Sequence, residues 1–105
     1  MEIVEEYTSV NKKQEIEFRY TYRLIKKTLN NLELYGIEVE RKDYKGIKNI
    51  NIERNRIDII SQKKDKVKKI VGKLYDGQVS PIHLIDVAGC YIDECAYEFK
   101  GDFIN

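Results

Sequence analysis

Hydrophobic and polar residues alternate along much of the first half of the chain, which is the pattern of half-buried β-strands. The clearest alternation runs from Glu15 to Ile25, where every second residue is apolar or aromatic. A weaker alternation from Glu2 to Val10 precedes it, and the polar link between them is short enough to close an antiparallel hairpin. We therefore predict that these two strands pair and that the apolar side of the second strand faces the core. The residues on that side are Ile16, Phe18, Tyr20, Tyr22 and Leu24.

Further strands are predicted downstream, and each contains an interruption. Apolar residues continue to Val39 after a turn at two consecutive asparagines, but their alternation changes phase at Gly36, which indicates a β-bulge. A turn at residues 43–46 leads into residues 47–60. The apolar residues of this stretch occupy even positions at Ile50 and Ile52 and odd positions at Ile57 and Ile59. We expect a turn or bulge at Asn55, so that the sheet contains four or five strands.

The hydrophobic period changes to that of a helix after Ser61. Apolar residues recur at helical spacing from Val67 to Tyr75, and Ser61 is the predicted N-cap of this first helix. Ser80 followed by Pro81 predicts the start of a second helix, because serine is favoured at the cap and proline in the first turn. The apolar side of the second helix would consist of Leu84, Ala88, Tyr91, Ile92, Cys95 and Phe99.

Strands followed by helices, with short connections throughout, predict an α+β fold. We expect an antiparallel β-meander of four to five strands followed by a two-helix hairpin that packs on one face. Residues 1–105 have the size and composition of a single domain, since 42% of them are hydrophobic and 35% are charged. The first residues are acidic, and no apolar run reaches the roughly 20 residues of a membrane span. These features predict a cytoplasmic protein that does not bind membranes.

Three segments carry a resemblance to a known family. They are Tyr35-Gly36-Ile37, Ile60-Ser61 and the stretch from Ser80 to Val87, which reads Ser-Pro-Ile-His-Leu-Ile-Asp-Val. In these segments the chain resembles a family of short uncharacterised proteins, a domain of unknown function from low-GC Firmicutes. A bacterial origin of that kind also agrees with the abundance of Ile, Lys, Asn and Tyr, which are encoded by A/T-rich codons. The resemblance implies no activity, and it therefore implies no catalytic residue or cofactor.

Charge is distributed unevenly along the chain, although the formal net charge is only +1. Residues 1–53 are neutral, residues 54–73 carry +6 and residues 74–105 carry −5. The basic segment could contact phosphates, because affinity for nucleic acid comes first from lysine and arginine. We favour the alternative that a basic first helix faces the acidic second helix, since no base-reading motif accompanies the lysines. The candidate binding lysines are Lys63, Lys64, Lys66, Lys68 and Lys69.

His83 is the only histidine, and with Asp86 one helical turn later it forms a second candidate binding site. We favour a neutral His83 packed against the end of the sheet over a catalytic one, because Cys90 would lie about 10 Å further along the helix. Cys90 and Cys95 would diverge by about 140° around a helix, so we expect no disulfide between them. One histidine and two divergent cysteines are too few ligands for zinc, and we predict no metal, cofactor or catalytic residue.

Three functional hypotheses remain. The first is a small non-enzymatic protein-interaction or regulatory module, since no catalytic constellation is visible and a meander leaves edges that can recruit a strand. Its partner would be another protein or a second copy of the chain, which would form a homodimer. The second hypothesis is nucleic-acid binding through residues 54–73. The third is a small enzyme centred on His83.

Overall fold

Four long strands form a continuous antiparallel sheet. The computed structural model describes residues 1–92. The strands are β1 (Glu2–Lys13), β2 (Ile16–Leu29), β3 (Leu32–Lys45) and β4 (Lys48–Ser61), and each is antiparallel to the one before it. Their order in the sheet is their order in the chain, which confirms the predicted meander with four strands.

The hairpin turns contain residues that tolerate a left-handed backbone. Asn30 and Asn31 have φ angles of 49° and 67°, as expected at the two central positions of a type I′ turn. Gln14 and Gly46 have φ angles of 59° and 64° at the other two turns. The strands extend as far as these turns, so each is longer than its hydrophobic alternation predicts.

The irregularity expected at Asn55 lies elsewhere in β4. Asn55 pairs in register with Val39 and the strand continues through it, so the predicted break at this residue was wrong. The register shifts instead opposite Gly36, where β4 has extra residues after Ile57. A Cβ atom on Gly36 would collide with the backbone oxygens of Ile57 and Asp58. The pairing is irregular at Gly36 as predicted, but the bulge lies in β4 and not in β3, which pairs with β2 without a shift. Only glycine allows β4 to approach so closely there.

Helix α1 (Lys64–Asp76) follows β4 and packs on one face of the sheet. Its N-cap is Lys63, so the prediction of Ser61 was wrong. Ser61 precedes the cap, and its hydroxyl accepts a hydrogen bond from the Lys63 amide at 3.0 Å. The buried side of α1 is the stripe that the helical period predicts, namely Val67, Ile70, Val71 and Leu74.

A second helical segment follows the turn after α1. Ser80 caps a short 3-10 helix, Pro81–His83, with proline in its first turn as the Ser-Pro pair predicts. Residues 84–92, which we call α2, are α-helical and bury Leu84 and Ala88. Two residues of the predicted apolar side, Cys95 and Phe99, lie outside the described residues.

The hydrophobic core lies between the helices and one face of β2 and β3. The predicted inward side of β2 is confirmed for its second half, where Tyr22 and Leu24 are fully buried. Phe18 lies on the predicted side and packs against the core, but it is only half-buried. The strand residues of the core cluster are Tyr20, Tyr22, Leu24, Tyr35, Ile37 and Val39.

Candidate interaction edge

The two edges of the sheet are β1 and β4. Within residues 1–92, neither has a strand on its outer side. In an edge strand, alternate residues direct their backbone N–H and C=O groups away from the sheet, where they can pair with another strand. The two edges differ in how far their residues discourage such pairing.

The edge of β4 carries features that hinder strand addition. Charged residues occupy its centre, including Arg54 and Arg56, and two register shifts interrupt its pairing with β3. The Asn55 side chain donates a hydrogen bond to the carbonyl of Pro81 at 3.2 Å, which ties the strand to the 3-10 helix. Central charges and irregular pairing are common means of protecting a sheet edge.

The centre of β1 lacks this protection. From Tyr7 to Val10 the strand has neither a charged residue nor a proline. Its single register shift lies near the start of the strand, between Ile3 and Glu5. From Glu5 to Lys13 all nine residues pair regularly with β2. We call this regular stretch, Glu5–Lys13, the open edge.

Opposite charges stand at the two ends of the open edge. Glu5 forms an ion pair with Lys68 at 3.2 Å, and Glu6 forms one with Arg23 at 2.8 Å. The hydrogen bond from Lys68 lowers the pKa of Glu5 below its ordinary value, so this carboxylate is ionised at neutral pH. At the other end, Lys12 and Lys13 have no ion-pair partner within residues 1–92.

A shallow depression of about 550 Å³ adjoins β1 on the helix side of the sheet. Tyr7 of β1 and Tyr75 of α1 line it, with ring centroids 6.0 Å apart. Gly72 leaves its floor open, since a Cβ atom there would meet nothing within 4 Å. Lys68 and Lys69 also line the depression. Asp65 lines it as well, so a strand added to the open edge would find aromatic surface and charges of both signs beside it.

The cations of residues 54–73 are divided among several surfaces. Lys68 points toward β1 through its ion pair with Glu5, whereas Lys73 lies over the ring of Tyr91 at 5.4 Å. Arg54 pairs with Glu40 on the sheet face that points away from the helices. These three cations therefore lie on three different surfaces. Among the candidate lysines, Lys63, Lys64, Lys68 and Lys69 are exposed and Lys66 is half-buried.

A network of ion pairs on the face away from the helices was not anticipated from the sequence. Arg23 contacts Glu6 at 2.8 Å, Glu38 at 2.7 Å and Glu40 at 3.2 Å. Burial alone would lower the pKa of Arg23, but its hydrogen bonds to these three carboxylates raise it. Glu40 also accepts hydrogen bonds from Arg54 and is only 2% exposed. This network joins side chains of all four strands, and it leaves Glu40 inaccessible to a ligand.

His83 and Asp86 are both exposed, as is Cys90. The predicted packing of His83 against the sheet was wrong, because the 3-10 helix buries Pro81 and directs His83 to solvent. The side chains of His83 and Asp86 form no hydrogen bond or ion pair with each other. No cluster of three or more His, Cys, Asp or Glu side chains suited to a metal ion occurs in the described part of the chain.

These features define a class of small α+β protein, with one helix-covered face and an open sheet edge. No helix between residues 1 and 92 is long and apolar enough to cross a membrane. The chain belongs to a family of unknown function, DUF6514, whose model matches residues 1–94. Neither a curated protein nor a solved structure matches the chain. The resemblance to a domain of unknown function is confirmed, whereas an origin in low-GC Firmicutes stays a prediction.

Proposed function

We propose that the protein is a small non-enzymatic interaction module that binds an extended protein segment along the open edge. The observation that carries this proposal is the regular, uncharged centre of β1, from Tyr7 to Val10, at the rim of the sheet. An added antiparallel strand would satisfy the outward N–H and C=O groups of β1 with backbone hydrogen bonds. Backbone pairing supplies affinity, and the neighbouring side chains supply selectivity.

The depression beside β1 supports binding on the helix side of this edge. Every second side chain of an added strand would lie on the same side of the sheet as Tyr7. Those side chains would meet the rings of Tyr7 and Tyr75 and the ammonium groups of Lys68 and Lys69. Aromatic residues such as tyrosine are enriched at surfaces that bind other proteins.

Nucleic-acid binding through residues 54–73 is the second candidate. It is supported by the exposed lysines at the start of α1, Lys63 and Lys64, and by Lys69 further along the helix. The division of the other cations between opposite faces of the sheet favours the interaction module. A small enzyme centred on His83, with Asp86 beside it, is the third candidate. A cytoplasmic location is part of the same proposal.

Proline substitutions at consecutive positions test strand addition. Neighbouring residues of a strand direct their N–H groups to opposite edges of the strand. One of the variants Thr8→Pro and Ser9→Pro therefore removes an N–H group that points away from the sheet, and the other removes one that points toward β2. The variant whose melting temperature stays closer to that of the wild type is the one that lacks only the outward N–H group. After nuclease treatment of a native lysate, we expect the wild type to retain a protein partner and this folded proline variant to lose it. Equal retention by the two proteins would contradict the proposal, and loss of every partner on nuclease treatment would favour the second candidate.

A further inference from the structure

We infer that the segment that binds the open edge is β1 of a second copy of the chain, paired antiparallel about a two-fold axis at Ser9. This inference rests on the proposed function, because it names the partner of the same edge. The result would be a homodimer with one continuous sheet, in which the four strands of each copy are joined through β1.

Symmetry restricts the ways in which two copies of β1 can pair. A two-fold axis perpendicular to the sheet reverses the strand direction and keeps both helix layers on the same side. Such an axis must pass beside one residue of β1, and it places residues at equal distances before and after that residue opposite each other. Each possible centre therefore specifies a complete set of facing pairs.

Ser9 is the centre at which both acidic residues of the open edge face lysines. With the axis there, Glu5 lies opposite Lys13 of the second copy, and Glu6 lies opposite Lys12. If the axis moves to Thr8, Glu5 faces an asparagine and Glu6 faces a valine. If it moves to Val10, Glu6 would face a residue beyond the end of β1.

The register about Ser9 brings residues of opposite charge together on both faces of the sheet. Glu5 and Lys13 lie on the helix side with Tyr7, whereas Glu6 and Lys12 lie on the opposite side with Thr8. Opposite charges therefore meet on each face, and uncharged residues meet at the centre. Directly facing residues of opposite charge stabilise a sheet, and like charges in the same positions destabilise it.

The structure of the open edge fits this pairing in two further respects. Ser9 is the middle residue of the regular stretch Glu5–Lys13, so symmetric pairing uses the whole stretch and ends at the irregularity after Ile3. Glu6 uses only one carboxylate oxygen, Oε2, for Arg23, which leaves the other for a lysine of the second copy. Lys12 and Lys13 would gain the acidic partners that they lack within residues 1–92.

Charge reversal at the two ends of the open edge tests the partner. In sedimentation equilibrium, we expect the wild type to dimerise and the double variant Lys12→Glu, Lys13→Glu to dimerise roughly a hundredfold more weakly, since four attractive pairs become repulsive. A variant with Glu5→Lys and Glu6→Lys should be weakened in the same way. An equimolar mixture of the two variants should restore a heterodimer, because every facing pair is again complementary.

A matched control reverses two exposed lysines outside the open edge, Lys27 and Lys48, to glutamate. This control should dimerise like the wild type. Monomeric wild type at all accessible concentrations, or failure of the mixed variants to associate, would overturn the inference. A monomeric wild type that still holds another protein through β1 would overturn the inference and leave the proposed function standing.

A cysteine at the axis tests the register without disturbing any charge. Residues facing each other across the axis have Cα atoms about 4.5–5.5 Å apart, which a disulfide can bridge. In a chain with Cys90 and Cys95 replaced by serine, Ser9→Cys should form a disulfide-linked dimer on mild oxidation. Asn11→Cys should not, because its two copies would be several residues out of register. Equal cross-linking of both variants, or of neither, would refute the axis at Ser9.

Discussion

Replacement of Glu40 by glutamine tests whether the buried ion-pair network stabilises the sheet. Glu40 lies on β3, and its side chain is 3% exposed. It accepts hydrogen bonds from Arg23 at 3.2 Å and from the Nε of Arg54 at 2.8 Å. Glu40→Gln preserves the shape of the side chain and removes its charge.

The magnitude follows from what remains paired after the substitution. Breaking a buried ion pair costs about 3–5 kcal/mol when the surviving charge is left without a partner. Here Arg23 retains Glu6 and Glu38, and Arg54 is 57% exposed and can be hydrated. We therefore expect a smaller loss, of about 2 kcal/mol, as for a charged hydrogen bond. This corresponds to a melting temperature lower by about 8–16 °C in a domain of this size.

Urea denaturation followed by circular dichroism at several pH values measures this effect. Burial would raise the pKa of Glu40, but the hydrogen bonds from Arg54 and Arg23 lower it below the ordinary value of 4.5. A depressed pKa contributes stability above pH 4.5, and this contribution is lost as the pH falls through the pKa of the folded state. The wild type and Glu40→Gln should therefore differ at pH 7 and converge in acid.

The control is Glu15→Gln, since Glu15 is 81% exposed and lies 3.8 Å from Lys45. Its loss should be below about 0.5 kcal/mol, as for an exposed ion pair. Equal losses for Glu15→Gln and Glu40→Gln at pH 7, or a difference that does not change with pH, would refute the reasoning.

Three further predictions concern packing and can be checked by denaturant titration. Leu74→Ala should cost about 2–5 kcal/mol because Leu74 is fully buried, whereas Phe18→Ala should cost less because Phe18 is half-buried. Tyr22→Phe should cost about 1 kcal/mol, since the Tyr22 hydroxyl donates a hydrogen bond to the carbonyl of Val79 at 3.0 Å. Gly36→Ala should cost about 1–3 kcal/mol, because its Cβ would displace the backbone of β4. A Phe18→Ala loss above that of Leu74→Ala, or an unchanged stability for either of the other two variants, would contradict the corresponding contact.

The sequence predicts those parts of the fold that depend on local periodicity. The period of two in β2 places Tyr22 and Leu24 in the core, and the period of about 3.6 in α1 places Leu74 opposite them. The prediction at Asn55 failed because the change in apolar parity along β4 reflects a bulge further on. That bulge depends on the approach of β4 to Gly36, a contact between distant parts of the chain.

Burial of charged residues could not be read from local periodicity. Alternation places Glu38 and Glu40 on the outer face of β3, where exposure is the ordinary expectation. They are buried because Arg23 of β2 and the arginines of β4 cover them, and this arrangement depends on the register of three strands. The exposure of His83 likewise depends on a 3-10 turn in place of the first α-helical turn.

The open edge could be predicted only as one of two sheet edges. The sequence already contains the opposed charges of β1. Whether they can face a second strand depends on the bulge after Ile3 and on the absence of a covering element within residues 1–92. Once those features are known, the position of Ser9 midway between Glu5 and Lys13 defines a specific pairing.

The most direct measurement of the central claim is amide hydrogen exchange, compared between dilute and concentrated protein. If β1 pairs with a second copy, outward amides between Glu5 and Lys13 should exchange more slowly as the concentration rises, whereas amides at the edge of β4 should not change. Exchange in β1 that is independent of concentration, or protection that develops along β4, would contradict the account.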